Sequence, residues 1–468
     1  MERVKTQIED IERSIYDIKD TGHRSYQVEK GLTEEIVREI SEGKNEPRWM
    51  LDLRLASLET FRRLAMPDWG PSLDELDMDQ IVTYVRPDAK MSDDWKTLPD
   101  DIRGTFDRLG ISKAEQEALS GVGAQYDSEV VYHSVKKYLE RQGVIYTDMD
   151  TAVQEYEEVV KQHFMKLLPP GDHKFMALHG AVWSGGSFVY VPAGVEVDMP
   201  LQSYFRLNAP GAGQFEHTLI ICEPGSKVHF IEGCSAPRYN VLNLHAGGVE
   251  LYVREGASLR YSTIENWSKN MLNLNSKRAK VEKNGTIEWV SGTFGSHITM
   301  LYPTSILSGE GARSEYTGVS FAGEGQFLDT GTKVVHAAPR TSSTISSKSI
   351  SKNGGNATYR SAVVINPNAA DSKCSVVCES LMMDNQSRSD TVPVMDVRND
   401  TVDIGHEAKI GRISEESIFY LMSRGLSEEE AKALIVRGFV EPVTKELPME
   451  YAVEMNRLVG LELEGTIG

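Results

Sequence analysis

The sequence predicts a mainly β protein whose core, between about Leu178 and Glu407, is a parallel β-helix. Glycines recur in this stretch at intervals of 31, 29 and 26 residues, namely at Gly225, Gly256, Gly285 and Gly311. Short β-type runs follow the first three, and no helical pattern separates one run from the next. A turn-plus-strand unit that repeats at this length is typical of stacked coils, each burying its apolar face against its neighbours.

The run after each of the first three glycines alternates with a period of two. The apolar side chains are Val228 and Phe230, then Leu259 and Tyr261, then Ile287 and Trp289. Such alternation sends every second side chain to one buried face, and glycine supplies the positive φ that a tight turn requires. The same pattern also allows an antiparallel sandwich of short strands, which is the alternative fold.

Residues 1–170 carry mainly helical patterns. Apolar residues at three- and four-residue steps predict a surface helix over 2–20. Thr33 is a good N-cap for a short second helix, and Pro47 is a good start for a third. The segment 74–86 is predicted to be an irregular connection.

Helical patterns return in residues 410–468. Ser414 is predicted to cap one helix, and Ser427 with Glu430 forms a capping box for the next. Pro448 opens a last helix. Because the ends of a solenoid need cover, these helices are expected to lie over the last coil.

Composition limits the class of protein. The 468 residues include 69 acidic and 50 basic side chains, a net charge of −19, which disfavours nucleic acid and anionic membranes as partners. No apolar run has the ~18 residues of a membrane span, and the N-terminus lacks an apolar signal core, so a cytoplasmic location is expected. Only four cysteines occur, too few for a secreted disulfide framework of this size.

Several long motifs resemble the SufB family of iron–sulfur cluster assembly scaffolds, and they follow the family's order along nearly the whole chain. They are LGISKAEQEALSGVGAQYDSEVVY at 109–132, GVIYTDMDTAVQEY at 143–156, FVYVPAG at 188–194, YFRLN at 204–208, EGCSAP at 232–237, IENWS at 264–268, SSKSISK at 346–352, CESL at 378–381, HEA at 406–408 and FYLMSRGLSEEEA at 419–431.

The resemblance implies a right-handed β-helix over 175–409, between a helical region at 1–170 and a C-terminal helical domain at 410–468. It implies a scaffold that accepts sulfur and iron, holds a nascent 2Fe–2S or 4Fe–4S cluster and transfers it to apo-proteins. The expected partners are a SufC-type ABC ATPase, which the last helices would dock, a SufD-type paralogue or a second copy of the chain, and a cysteine desulfurase or sulfur-transfer protein. Reduced flavin is a further possible cofactor of such assemblies.

The candidate cluster site lies near the end of the predicted β-helix. Cys374 and Cys378 would share one face of a strand but lie about 13 Å apart at ~3.3 Å per residue, so each needs ligand partners on neighbouring coils. His406 follows Cys378 by 28 residues, close to one glycine interval, which predicts that the two stack on adjacent coils. The resemblance gives Cys378 as the essential thiol and His406 with Glu407 as co-ligands. Gly405 stands where many relatives carry an acidic residue.

A second set of candidates follows the same spacing. Arg206, Cys234 and Glu265 are 28 and 31 residues apart, which predicts one stack on successive coils. The resemblance extends the set to Asn208, Trp267 and Lys283, as a path that carries sulfur toward the assembly site. Arg206 and Lys283 are expected to favour the Cys234 thiolate, whereas Glu265 would raise the pKa of that thiol.

Cys222 and Cys374 are predicted to be packing cysteines. No Gly-x4-Gly-Lys-Ser/Thr loop occurs, so the chain is expected not to be an enzyme and any ATP hydrolysis would belong to a partner. Two other interpretations compete with the cluster scaffold: a purely structural SufD-type paralogue, and a β-helix carbohydrate-active enzyme. The first lacks an assembly thiol, and the second needs paired carboxylates on an open groove and is commonly secreted.

Overall fold

The computed structural model describes residues 17–19, 24–109, 111, 119–447 and 449–464. Nearly all of the helix predicted over 2–20 therefore lies outside the described residues. The α-helices within these described residues, in chain order, are α1 (Glu34–Gly43), α2 (Arg48–Arg63), α3 (Asp100–Arg108), α4 (Lys137–Arg141), α5 (Met149–Glu155), α6 (Glu157–His163), α7 (Lys174–Val182), α8 (Glu415–Ser423), α9 (Glu428–Thr444) and α10 (Met449–Glu464). Among the described residues, no helix is long and apolar enough to cross a membrane.

Two large sheets form the walls of a solenoid. The first sheet contains β3 (Gly121–Tyr126), β4 (Glu129–Val135), β7 (Leu201–Arg206), β10 (Lys227–Ser235), β13 (Ser258–Asn266), β16 (Thr286–Phe294), β19 (Arg313–Ala322), β21 (Ser342–Ser351), β23 (Lys373–Met382) and β25 (Asp403–Arg412). From β7 to β25 these strands follow one another once per coil, and each pairs with the next in parallel.

The second sheet supplies the remaining walls. Its strands are β5 (Ile145–Asp148), β6 (Gly186–Val191), β8 (Gly213–Gln214), β9 (His217–Cys222), β11 (Asn243–His245), β12 (Gly248–Val253), β14 (Met271–Asn273), β15 (Ser276–Val281), β17 (Ile298–Leu301), β18 (Thr304–Leu307), β20 (Phe327–His336), β22 (Asn356–Ile365) and β24 (Arg388–Val397). Each early coil contributes two short strands to this sheet. In the later coils a single long strand replaces them, beginning with β20, whose first half pairs with β17 and whose second half pairs with β18. The coils thus change from three strands to two. A separate two-stranded sheet joins β1 (Arg24–Gln27) to β2 (Val85–Pro87).

The parallel β-helix predicted from the glycine interval is confirmed, and the antiparallel sandwich is wrong. Val228 pairs with Leu259 and Leu259 with Ile287, while Phe230, Tyr261 and Trp289 form the neighbouring row. All six side chains are buried in one core cluster inside the coils.

The glycine turns are confirmed at three of the four positions. Gly225, Gly256 and Gly311 have φ of 70°, 66° and 70°, the left-handed region that favours glycine. At the remaining turn the left-handed residue is Asn284, with φ of 54°, and Gly285 follows it. Asparagine tolerates this conformation better than other side chains because it is short and polar.

The predicted caps agree with the helices. The Thr33 hydroxyl accepts a hydrogen bond from the Ile36 amide, and Ser427 and Glu430 form the capping box of α9. The first 170 residues also contain strands that helical periodicity did not predict. The hairpin β3–β4 extends the first sheet through β3–β7 pairing, and β5 pairs with β6 in the second.

The C-terminal helices lie beside the solenoid and do not cover its last coil, so the expected end cap is wrong. Outward-facing Ile231, Ile264 and Val290 form an apolar strip on the first sheet, against which Val440 of α9 and Met455 of α10 pack. Burial of that strip explains the position of the helices. The last coil stays open, since most residues of β24 and β25 are exposed or half-buried.

Candidate functional site

Two polar rows run along the inner face of the first sheet. Strand register makes each member of a row the direct neighbour of the next. One row consists of Glu232, Thr263, Ser291, Gly318, Ser347 and Cys378, and the other of Cys234, Glu265, Thr293, Ser320, Ser349 and Ser380.

The rows place two thiols at opposite ends of one polar surface. Cys234 lies on β10 and Cys378 on β23, five strand spacings later, so about 24 Å separates them at ~4.8 Å per strand. Both face the inside of the coils, and both are almost fully buried. Solenoid interiors are usually filled by aliphatic side chains, so hydroxyl and carboxyl groups here require a partner or water.

Charged groups surround Cys234. Its Sγ lies 3.8 Å from Oε1 of Glu232, and the Tyr261 hydroxyl donates to the same carboxylate. Lys277 reaches across from the second sheet, and its Nζ donates to Glu232 Oε1 at 2.6 Å and to Thr263 Oγ1 at 3.0 Å. A buried ion pair therefore bridges the two walls beside the thiol.

A second chain of hydrogen bonds begins at Glu265, the direct strand neighbour of Cys234. Glu265 Oε2 accepts from Asn273 Nδ2 at 2.8 Å, and Asn273 Oδ1 lies 2.8 Å from Nδ1 of His245. Nε2 of His245 lies 2.6 Å from Glu216 Oε1, and the ring packs on Trp267 with centroids 4.6 Å apart.

This environment disfavours the thiolate of Cys234. Burial raises the pKa of the thiol well above its ordinary value, and the carboxylates of Glu232, Glu265 and Glu216 raise it further. Burial also raises the pKa of the Glu265 carboxyl. Burial opposes the charge on Lys277, but the Glu232 and Glu265 carboxylates outweigh it and raise the Lys277 pKa. The effect expected of Glu265 on the thiol is confirmed, whereas the expectation of a cation-favoured thiolate is wrong.

Two cations of the sequence-derived set lie elsewhere. Arg206 pairs with Ser235, one residue beyond Cys234, so its side chain is on the outer face, where it donates to Ser235 Oγ and to the Ile18 carbonyl, each at 2.9 Å. Lys283 lies at an exposed turn, 2.9 Å from Glu255. The predicted stack of Arg206 with Cys234 is therefore wrong, and among the described residues Lys277 is the cation that lies beside this thiol.

The alternation of inward and outward side chains along β15 could have identified Lys277 as an inward-facing residue. It shares its side of β15 with Ala279 and Val281, both buried in the core, whereas Ser276 and Arg278 on the other side are half-buried. A lysine at an inward position of a strand requires a buried acid, and Glu232 occupies an inward position on β10. Asn208 is buried, and its backbone N–H donates to Asp127 Oδ1 at 2.6 Å.

At the other end, Cys378 has uncharged neighbours. Its direct strand partners are Ser347 and Ala408, and burial raises the pKa of its thiol to about 11. His406 pairs with Val376, two residues before Cys378 on the same face. On the strand lattice this offset puts the Cα atoms of Cys378 and His406 about 8 Å apart.

The coil count behind the predicted stack is therefore wrong by two residues, since Ala408, thirty residues on, is the partner of Cys378. Glu407 projects to the opposite face from His406, since side chains alternate along a strand. It lies 3.0 Å from Lys409, and both side chains are largely exposed. In the described chain, no group of three or more His, Cys, Asp and Glu side chains is arranged to hold a metal ion.

Cys222 and Cys374 belong to the apolar core cluster, in agreement with their predicted packing role. Burial raises the pKa of both thiols. Cys374 shares the inner face of β23 with Cys378, but its direct partners are Ser343 and Ile404.

The fold and site define a class of protein: a β-solenoid that holds thiols at both ends of a buried polar surface and leaves its last coil open. Residues 120–203 match the family model of the SufBD protein N-terminal region, and residues 205–439 match that of the SUF system FeS cluster assembly SufBD core domain. An iron–sulfur cluster assembly SufBD family protein of Staphylococcus aureus (strain MRSA252) is 53% identical over 97% of both chains.

The iron–sulfur cluster assembly protein SufB of Bacillus subtilis (strain 168) is 52% identical over 98% of this chain and 99% of that protein. The chain therefore belongs to the SufB family of iron–sulfur cluster assembly proteins.

Proposed function

We propose that the chain is the scaffold on which an iron–sulfur cluster is built, with sulfur accepted at Cys234 and the cluster held at Cys378. The main support is that two adjacent polar rows on one sheet each have a buried thiol at one end, Cys234 in one row and Cys378 in the other. Thiolate is the usual ligand of such clusters and a carrier of persulfide sulfur. In this proposal the cluster is cargo, whether 2Fe–2S or 4Fe–4S, and is passed to apo-proteins.

The Cys378 site holds the cluster incompletely. His406 is on the same face at roughly 8 Å by strand spacing, close enough to share a cluster, and Glu407 would have to turn around the open edge of β25 to join it. Exposure of this coil favours ligands contributed by a second chain, either a SufD-type paralogue or another copy. An incomplete ligand set suits a cluster that must be released.

The ATPase partner is proposed to dock on α8 and α9. These helices carry four exposed large apolar side chains, Phe419, Tyr420, Met422 and Leu434. Clustered exposed apolar residues of this kind mark interaction surfaces. A conformational change in an ABC-type ATPase docked on these helices would be transmitted to the first sheet, because α9 packs against that sheet.

Sulfur loading separates the roles of the two thiols. The protein is incubated with a persulfidated cysteine desulfurase, and persulfide on each cysteine is quantified by mass spectrometry. Cys234→Ala is expected to lose donor-dependent loading at Cys378 while still forming a cluster from added iron and sulfide. Full loading at Cys378 in the Cys234→Ala variant would contradict the assigned order.

A further inference from the structure

Cys234 is buried, yet the proposed function requires sulfur to reach it from outside. One surface cleft lies on the far side of the Lys277 strand. It encloses about 150 Å³ and is lined by, among others, Trp69, His173, Phe175, Asn275, Met300 and Tyr302. Lys277 also contributes to its wall, while the Lys277 ammonium bonds Glu232 beside Cys234.

Buried polar atoms without partners lead inward from this cleft. Both amide atoms of Asn275 are unpaired although the residue is only 3% exposed, and Nδ1 of His173 is unpaired as well. Deeper in, one oxygen of Glu216 and one of Glu265 lack partners. Because buried polar atoms in native proteins are almost always satisfied, these orphaned atoms indicate places where water or a small polar solute can bind between the cleft and Cys234.

Gly247 lies between Asn275 and Glu216. A Cβ at this position would lie 2.6 Å from Asn275 Oδ1 and would also clash with Glu216 Oε1. The absent side chain therefore lets the cleft residue Asn275 and the inner residue Glu216 come close together over Gly247, so a solute would pass here only when these two flexible side-chain ends rotate aside. Glu216 joins the His245–Asn273–Glu265 chain that ends beside Cys234.

We propose that the cleft of Trp69, His173, Asn275 and Met300 is the entrance through which the terminal sulfur of a persulfide reaches Cys234, past Gly247. This inference rests on the proposed role of Cys234 as sulfur acceptor. The apolar wall suits polarizable sulfur, and the orphaned Asn275 amide can hydrogen-bond a hydropersulfide as donor and acceptor.

The transfer at Cys234 is redox-neutral. The Cys234 sulfur attacks the terminal sulfur of R–S–SH, the donor S–S bond breaks, and a new S–S bond gives Cys234–S–SH. The Cys234 proton passes to a neighbouring carboxylate and then to the departing thiolate, so R–SH leaves. R is hydrogen for inorganic hydrogen disulfide, or a cysteine on a donor protein.

Labelling tests the entrance. Ser276 lines the cleft, so Ser276→Cys is labelled with a bulky maleimide, which the buried native cysteines resist. Asp400→Cys, at an exposed turn before β25, is labelled as the matched control. Persulfide on Cys234 is followed by mass spectrometry with hydrogen disulfide and, separately, with a persulfidated cysteine desulfurase. The labelled Ser276→Cys protein is expected to load at least tenfold more slowly in both arms.

A second variant narrows the passage without covering the cleft. Gly247→Ala is expected to slow loading in both arms, whereas Gly104→Ala, where a Cβ meets nothing within 4 Å, should not. Equal rates in the blocked and control proteins would overturn the entrance alone. Slowing only of the protein donor by the label, with no effect of Gly247→Ala, would overturn the passage. If unmodified protein never loads Cys234, the proposed acceptor role fails and the inference fails with it.

Discussion

The surroundings of Cys234 and Cys378 differ although both thiols project from one sheet into one lumen. Cys234 lies among Glu232, Glu265 and Lys277, all of them buried. Cys378 has serine and alanine as strand neighbours, and burial is what raises its pKa. Its coil is also the last but one, next to the exposed strand β25.

This difference suits the two chemical tasks proposed for the thiols. A charged, buried site can accept and return a proton during sulfur transfer, because carboxylates lie beside the thiol. A neutral site next to an open edge can admit iron and further ligands, and can release what it holds. The solenoid thus protects one thiol and presents the other near its edge.

The largest stability effect is expected at the charged end. Lys277→Met leaves Glu232 buried without its cation, and such a break typically costs about 3–5 kcal/mol. Lys283→Met is the matched control, since that lysine forms an exposed pair with Glu255 worth ~0–1 kcal/mol. The free energy of unfolding, from urea titration, measures both. Equal losses in the two variants would contradict a buried ion pair.

The reactivity of the Cys378 thiol, at the uncharged end of the polar rows, should depend on pH. Since the Cys378 pKa is raised to about 11, its thiolate fraction, and with it the alkylation rate, should rise roughly tenfold per pH unit from pH 7 to 9. The folded protein holds this proton more tightly than the unfolded chain, so the stability from this thiol is full below about pH 9 and is lost as pH rises toward 11.

Mass spectrometry of Cys378 peptides after brief iodoacetamide exposure follows the alkylation rate. Cys234 should stay less reactive at every pH, because carboxylates add to burial in raising the pKa of its thiol. Faster alkylation of Cys234 than of Cys378 would reverse the proposed contrast between the two ends.

The smallest effects are expected at the packing cysteines. Cys222→Ala and Cys374→Ala remove buried sulfur atoms from the apolar core and should each cost about 1 kcal/mol of unfolding free energy. Sulfur loading at Cys234 should stay unchanged in both variants. A loss of loading in either would extend the sulfur path beyond the two polar rows.

The sequence predicted the solenoid because its glycine turns and inward apolar positions are local signals that repeat. It placed individual site residues less well, since coil length varies between 27 and 31 residues. A count of 28 from Arg206 misses its partner Ser235 by one residue, which reverses the face of the strand. The same count from Cys378 reaches His406 and misses Ala408 by two residues, which keeps the face and shifts the side chain along the strand.

Contacts between side chains on opposite walls of the solenoid could not be predicted from the residue spacing of the coils. Lys277 and Glu232 meet because opposite walls face each other, and no fixed spacing within one sheet encodes that contact. The position of the C-terminal helices beside the solenoid could not be predicted in this way either. It depends on an outer apolar strip whose residues Ile231, Ile264 and Val290 come from three different coils.

Anaerobic reconstitution with iron and sulfide tests most directly whether Cys378 holds the cluster. Cys378→Ala is compared with Cys374→Ala, which removes a thiol from the same face of the same strand. Visible absorption and bound iron per chain are measured in each. We expect Cys378→Ala to lose both signals while Cys374→Ala keeps them. Retention of the cluster by Cys378→Ala, or equal damage in the two variants, would contradict the assignment.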